Sequence, residues 1–244
     1  MSKNNITPAV RASAMEAKLI KSVYKYLTFD NARLMLENCN LQFTKVDKLN
    51  DSLDITPQKY NFDYVYKIAN EIGIDGRVLV EEICKRQGEA RNYGVCSFGL
   101  NARNPVLLER YTETERLQNG ICIEIDLNKT INCLFKLGYK TPALKVRYFE
   151  NTENLIPYEL FLGETNEKHI ALMLMFATKN KEKWKEEKEM RLILVDELID
   201  DYKRIGIYKS CITGVYFGKD TTEKQKMEIK TIITSNKIKA KLYD

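Results

Sequence analysis

Near position 190 a charged run turns into an apolar one within a few residues. Lys179 to Glu186 is so polar that it is expected at the surface, whereas Leu192-Ile193-Leu194-Val195 must be buried. The junction carries Glu187-x-Glu189-x-Arg191. In a helix, residues two apart point about 200° apart, so the carboxylates would diverge. In a strand they share a face. Met190 to Val195 favours a strand. Glu187, Glu189 and Arg191 then line one side, and Met190, Leu192 and Leu194 pack on the other. Two carboxylates on one face repel and shift each other's pKa, and Arg191 offsets this. The arrangement suits a site that stabilises positive charge. The alternative is a solvated helical face with i, i+4 ion pairs; a helix through Arg191 would exclude the shared face.

The rest of the chain mixes strands and helices without regular alternation, which argues for an α+β class. Thr7-Pro8 starts a helical pattern with Val10, Met15, Leu19 and Ile20. Strands are expected at Val23 to Thr28, Leu41 to Thr44, Tyr93 to Phe98, Ile121 to Leu127, Ala143 to Phe149, Arg191 to Val195, Ile205 to Tyr208, Ile212 to Phe217 and Ile238 to Leu242. Helices are expected from an Asp30 cap to Asn38, from Asn104-Pro105 to about Gln118, over Glu167 to Thr178 and over Thr221 to Thr234. Residues 56 to 90 read as a helical insertion beside the sheet, broken at Gly73. Phe62, Val65, Tyr66 and Ala69 form one stripe of it, and Val78, Val80, Ile83 and Cys84 resume the pattern. With 244 residues, 44% hydrophobic and 30% charged, the whole of 1–244 is expected to be one folded domain.

Composition also restricts the chemistry. The net charge of +5 is mildly basic, which allows a local basic patch beside an ordinary lysine-rich surface. There is no apolar run of signal or membrane-span length, so a cytoplasmic protein without membrane contact is expected. The six cysteines form no Cys-x-x-Cys pair and read mostly as small buried hydrophobes. The only histidine, His169, sits at the polar start of a helix and reads as a surface residue. No metal is therefore expected.

Three further groups can carry binding. Tyr24-Lys25-Tyr26 could stack on a flat ring and hold a phosphate, or be an ordinary strand with one face in the core. Asn50-Asp51 lies in a loop after a strand and could be a plain turn. Ser97, within Gly94 to Gly99, could contact a ligand, although the segment is not a phosphate-loop pattern.

Taken in order, these elements resemble a bacterial family of uncharacterised domains, domain of unknown function 2971. Its members have a Tyr-Lys-Tyr strand, matched at Tyr24 to Tyr26. They also have a Phe-Asn-Asp-Pro-Phe loop, of which Asn50-Asp51 is kept. Cys96-Ser97-Phe98 stands for a Cys-x-Ser strand. Tyr111 is the kept residue of a Trp-x-His-Tyr helix. Gly120 to Glu124 matches a Gly-Val-Cys-Ile-Glu strand, and Val215 to Gly218 a Val-x-Phe-Gly strand. Trp184, Glu187, Glu189 and Arg191 match all four fixed positions of Trp-x-x-Glu-x-Glu-x-Arg.

That family's layout is similar to the ADP-ribosyltransferase fold, a split β-sheet core with surrounding helices. The resemblance implies NAD, as a substrate, in a cleft between two small sheets. It gives Glu189 the stabilisation of an oxocarbenium-like ribose and Glu187 the orientation or deprotonation of the acceptor. Tyr24 and Tyr26 would pack on nicotinamide or adenine, Lys25 would meet the pyrophosphate, Ser97 would brace Glu189 and Arg191 would orient the carboxylates. It further implies a mono-ADP-ribosyltransferase effector, a toxin in bacterial defence acting on a nucleic-acid or protein acceptor, with a neutralising antitoxin partner. Two other readings stay open. One is a non-enzymatic module binding nucleic acid or a partner. The other is a nuclease holding magnesium on Glu187, Glu189 and Asp51.

Overall fold

Strand-forming and helix-forming segments pack here as helices on both sides of a branched sheet. The computed structural model describes residues 16, 19–49, 62–110, 119–149, 158–180, 184–195 and 200–244. Asn50, Asp51 and Tyr111 lie outside them, as do Val10 and Met15 of the first expected helix and the end of the expected helix to Gln118. The strands are β1 (Ser22–Leu27), β2 (Asn40–Lys45), β3 (Gly94–Gly99), β4 (Ile121–Asp126), β5 (Ala143–Lys145), β6 (Arg147–Phe149), β7 (Thr178–Asn180), β8 (Glu189–Leu194), β9 (Tyr202–Gly206), β10 (Ile212–Phe217) and β11 (Lys241–Tyr243). The helices are α1 (Phe29–Asn38), α2 (Phe62–Glu71), α3 (Gly76–Ala90), α4 (Pro105–Arg110), α5 (Leu127–Lys136), α6 (Thr165–Phe176) and α7 (Glu223–Ser235).

Among the described residues nine strands form one sheet in the order β11-β10-β4-β1-β3-β2-β9, with β8 and then β5 branching from β3. The branch opens the sheet. β1 pairs with β4 over all six residues but meets β3 only at Tyr24↔Gly99. β2 meets β3 only at Thr44↔Val95 and Lys45↔Gly94. Between those points Cys96, Ser97 and Phe98 have a strand neighbour only on the β8 side. This splayed segment lies at the candidate site.

Period-two alternation divides the core. Val23, Phe43, Cys96, Phe98, Ile123, Met190, Leu192, Leu194 and Val215 meet α1, α5 and α7 on one face. Val95 and Ile193 meet α2, α3 and α6 on the other, with Val65, Leu79, Ile83, Met175 and Phe176. Of the stretch 56 to 90, residues 62 onward are described and form α2 and α3, with Gly73 at φ 74° between them. Within the expected stripes Val65, Ala69 and Ile83 are buried, whereas Tyr66, Val78 and Cys84 are exposed. The other five cysteines are buried, and His169 is exposed on α6. Among the described residues no helix is long and apolar enough to cross a membrane.

The structure corrects several expectations. Thr28, not Asp30, caps α1, its hydroxyl accepting from the Asn31 N–H. Helix α5 begins at Leu127, where a strand residue was expected, because the Asp126 carboxylate caps it at Lys129. Ala143 to Phe149 is two strands rather than one. The Val146 N–H turns aside to the Glu189 carbonyl, so β5 joins β8 while β6 pairs with β7. Helix α6 stops at Phe176, and Thr178 opens β7. The polar stretch from Lys179 is not exposed throughout: Lys179 is 5% exposed, although Lys185 and Glu186 do face solvent. Pairing with β6 carries Lys179 inward beside Tyr148.

Candidate active site

Strand β8 holds the centre of the site. Its six residues are all buried, with Met190, Leu192 and Leu194 in the core below the sheet and Glu189 and Arg191 on the opposite face. Arg191 is 1% exposed and grips Glu189 with two N–H groups, Nε to Oε1 at 2.8 Å and Nη2 to Oε2 at 3.2 Å. Its Nη1 donates to the Phe176 carbonyl at 3.0 Å, at the end of α6. That carbonyl has no helical partner of its own, so the guanidinium satisfies it.

Glu187 reaches the same side by another route. It lies in a 3-10 turn, Lys185–Glu187, and Lys188 then adopts the left-handed conformation at φ 46° before the strand starts. The shared face expected of Glu187, Glu189 and Arg191 therefore holds, but only Glu189 and Arg191 owe it to strand periodicity. Lys179 bridges the two carboxylates, with Nζ 3.1 Å from Glu187 Oε2 and 3.0 Å from Glu189 Oε2. Arg110, from the end of α4, pairs with Glu187 Oε1. Trp184 has Lys179 Nζ at 4.5 Å and Arg110 Cζ at 4.6 Å from its ring centroid, a cation–π contact with each.

The surroundings give the two carboxyls opposite characters. Burial alone would raise the Glu189 pKa. The Arg191 and Lys179 charges, with hydrogen bonds from Arg191 and Ser97, outweigh burial and hold it far below the usual carboxylate range. Glu187 is pushed up, chiefly by burial and also by the Glu189 charge, although Lys179 and Arg110 oppose this. One carboxylate is thus firmly ionised beside another that takes up a proton more readily, a pattern that favours distinct chemical roles.

Above this cluster is an open cleft of about 410 Å³ lined by Tyr24, Tyr26, Ser97, Phe98, Gly99, Leu107, Lys179, Glu187 and Glu189. Gly99 keeps its wall thin, since a Cβ there would lie 2.9 Å from Leu107 Cδ1 and 3.0 Å from Tyr26 Cε2. The Tyr26 hydroxyl donates to the Asn101 carbonyl and accepts from the Asn104 N–H at 2.9 Å. Asn104 caps α4 through Oδ1, and its Nδ2 donates to the Glu186 carbonyl at 2.5 Å. This chain of contacts ties the cleft wall to the turn that carries Glu187.

Of the expected binding residues, Tyr24, Tyr26 and Ser97 line the cleft, and Ser97 is among the groups that hold the Glu189 pKa down. Lys25 does not join them. Strand alternation sends it to the opposite face, where Nζ donates to the Ser97 carbonyl at 2.9 Å and lies 5.5 Å from the Phe98 ring. Its place is structural, filling the gap left where β1 splays from β3. Sequence reasoning missed Lys179, Arg110, Asn104 and Tyr148, whose hydroxyl accepts the Glu189 N–H at 2.8 Å. Nothing in the local sequence marks Lys179, Arg110 or Tyr148. Asn104-Pro105 did signal a helix start, but not its link to Glu186. Among the described residues no group of three or more His, Cys, Asp and Glu side chains is placed to hold a metal ion.

Two stability experiments follow from this geometry. Arg191→Leu leaves Glu189 buried with Lys179 as its remaining cation, at an expected cost of about 3–5 kcal/mol at pH 7 in urea unfolding. Because the Glu189 pKa is lowered by folding, its stabilisation is complete above the ordinary value of 4.5 and is lost as pH falls. The gap between wild type and Arg191→Leu should therefore narrow from pH 7 to about pH 3.5; a constant gap would refute the ionised pair. At the turn, Lys188→Gly should be neutral or stabilising by about 1 kcal/mol, while the β-branched Lys188→Ile should cost about 2 kcal/mol, by the same measurement.

No family model matches the chain, and a search of curated proteins found no match. Among solved structures the chain is similar to DarT of Thermus sp. 2.9 in complex with NAD+, at 12% identity and TM-score 0.40, covering 91% of this chain and 95% of that one. It is also similar to the same protein in complex with ADP-ribosylated single-stranded DNA, at 11% identity and TM-score 0.39, covering 92% and 94%.

Proposed function

We propose that the chain is an NAD-dependent mono-ADP-ribosyltransferase on an ADP-ribosyltransferase-like split sheet. The observation that carries this reading is the Glu189 carboxylate. It is buried, held ionised by Arg191 and set in the cleft next to Glu187, whose pKa is shifted the other way. The bond between nicotinamide and the ribose carbon breaks, and nicotinamide leaves with the electron pair. Positive charge then develops on the ribose, and Glu189 stabilises it. The acceptor nucleophile forms the new bond to that carbon and gives its proton to Glu187. Tyr24 and Tyr26 supply flat walls for the nicotinamide or adenine ring. NAD+ and ADP-ribosylated single-stranded DNA, the molecules bound in the two DarT complexes, are compatible with this chemistry. The acceptor is a nucleic acid or a protein, and the proposed setting is a bacterial defence toxin with a neutralising antitoxin.

The cations need an account in this scheme. Lys179, Arg110 and Arg191 outnumber the two carboxylates, so the resting cluster carries a net positive charge. In this reading Lys179 and Arg110 turn from Glu187 toward the pyrophosphate of an incoming dinucleotide. That exchange would free Glu187 as the substrate binds and would replace the pyrophosphate role expected of Lys25.

A second reading is a module that binds without catalysis. Its support is that every oxygen of both carboxylates already has a cationic partner. A thermal-shift titration discriminates, since no shift at millimolar NAD would favour this module. The magnesium nuclease reading depends on Asp51, which lies outside the described residues.

With labelled NAD and cell extract, the wild type should transfer label, and Glu189→Gln should lower kcat by about a hundredfold or more. Equal transfer by both proteins would rule out the assignment of Glu189. The pH profile tests Glu187. Lys179 lowers the Glu187 pKa, so Lys179→Gln should raise it. The acid limb of kcat/KM, which reports the deprotonated base, should then move to higher pH. An unmoved limb would remove Glu187 as the base.

A further inference from the structure

The sheet face that carries the cleft continues past it over β1, β4, β10 and β11. Register places Tyr24, Glu124 and Gly214 in one row across these strands, and Cys122, Tyr216 and Tyr243 in the next. The Tyr24 and Tyr216 rings meet edge to face at 6.0 Å between centroids, and Tyr216 and Tyr243 stack at 4.3 Å with 8° between their planes. All three rings are partly exposed.

Glu124 sits among them. Its Oε1 accepts from the Ser22 hydroxyl at 2.7 Å and its Oε2 from the Tyr216 hydroxyl at 3.2 Å. Among the described residues no cation pairs with it, and each oxygen keeps acceptor capacity for a ligand donor. Gly214 makes the arrangement possible. A Cβ there would lie 2.7 Å from Glu124 Oε2 and 3.2 Å from Tyr243 Cε2. Basic groups rim the stripe. Arg103 is exposed and bonds to the Asp244 carbonyl, and Lys241 is exposed on β11 beside Gly214.

Stacked rings, a part-exposed carboxylate acceptor and a basic rim together match an unpaired base carrying an amino group on a phosphodiester strand. A peptide could also stack on the tyrosines, but it offers no regular anionic backbone to the exposed Arg103 and Lys241. We propose that this face docks single-stranded nucleic acid, with an adenine or cytosine lying on the tyrosines and donating its exocyclic amino group to Glu124. Resting on the transferase reading, this strand is the acceptor, led along the stripe into the cleft at Tyr24.

The test is fluorescence anisotropy without NAD, using labelled single strands of about ten nucleotides of dA, dC or dT, a length suited to one binding face. The wild type should bind dA and dC strands more tightly than dT. Tyr243→Ala should weaken binding about tenfold or more, the loss of one stacking partner. Glu124→Gln should remove the preference for dA and dC over dT. Circular dichroism melts confirm that each variant is folded. Binding of no strand by the wild type, equal binding by a folded Tyr243→Ala, or an unchanged base preference in Glu124→Gln would overturn the proposal. Labelled NAD in extract gives the protein alternative: label on protein, uncompeted by added single strands, also overturns it. The two readings fail separately. If NAD shifts the melting temperature and is hydrolysed equally by wild type and Tyr243→Ala while no strand binds, the docking face fails and the transferase stands. If strands bind as expected but NAD neither binds nor reacts, the reverse holds.

Discussion

The bidentate pair between Arg191 and Glu189 is the contact around which the site is arranged. Both side chains are almost fully buried, so neither charge is tolerable without the other. Arg191 also ties strand β8 to the end of α6 through the Phe176 carbonyl. The pair thus joins the sheet to the helical layer at the point where the sheet opens. Its neighbours follow from its electrostatics. An ionised Glu189 attracts Lys179, and Lys179 in turn reaches Glu187, which would otherwise repel Glu189 at close range.

The branching of the sheet supplies the space. If β1 paired with β3 along its length, Ser97 would lie in a continuous sheet with no gap beside it. Instead β1 meets β3 at a single register point, and Lys25 fills the gap from the far face. Tyr24 and Tyr26 then form one wall of the cleft, Glu187 and Glu189 another, and Asn104 connects them through Tyr26 and the Glu186 carbonyl. The proposed acceptor face is the outward continuation of the same tyrosine wall. A proposed dinucleotide site and a proposed strand site would therefore share Tyr24.

Much of the site was legible because its residues lie in strands, where alternation is a strong rule. Met190, Leu192 and Leu194 had to share the core, which placed Glu189 and Arg191 opposite them. The same rule separates Lys25 from Tyr24 and Tyr26, so the three side chains do not face one ligand. The helical insertion and the break at Gly73 were visible in composition and periodicity. Helix α5 was not, because its start depends on Asp126 ending a strand and capping a helix at once.

What the sequence alone determined is the α+β class, most of the strands and the shared face of Glu189 and Arg191. These are consequences of local periodicity and of the need to bury apolar side chains. Only the tertiary structure decided that Lys179 is buried, that Arg110 reaches Glu187 and that Tyr148 supports Glu189. Each of these contacts joins residues from separate elements, and Lys179 lies in a stretch whose polarity pointed to solvent. A lysine enters the interior when carboxylates there compensate its charge, and that compensation exists only once β6, β7 and β8 have come together.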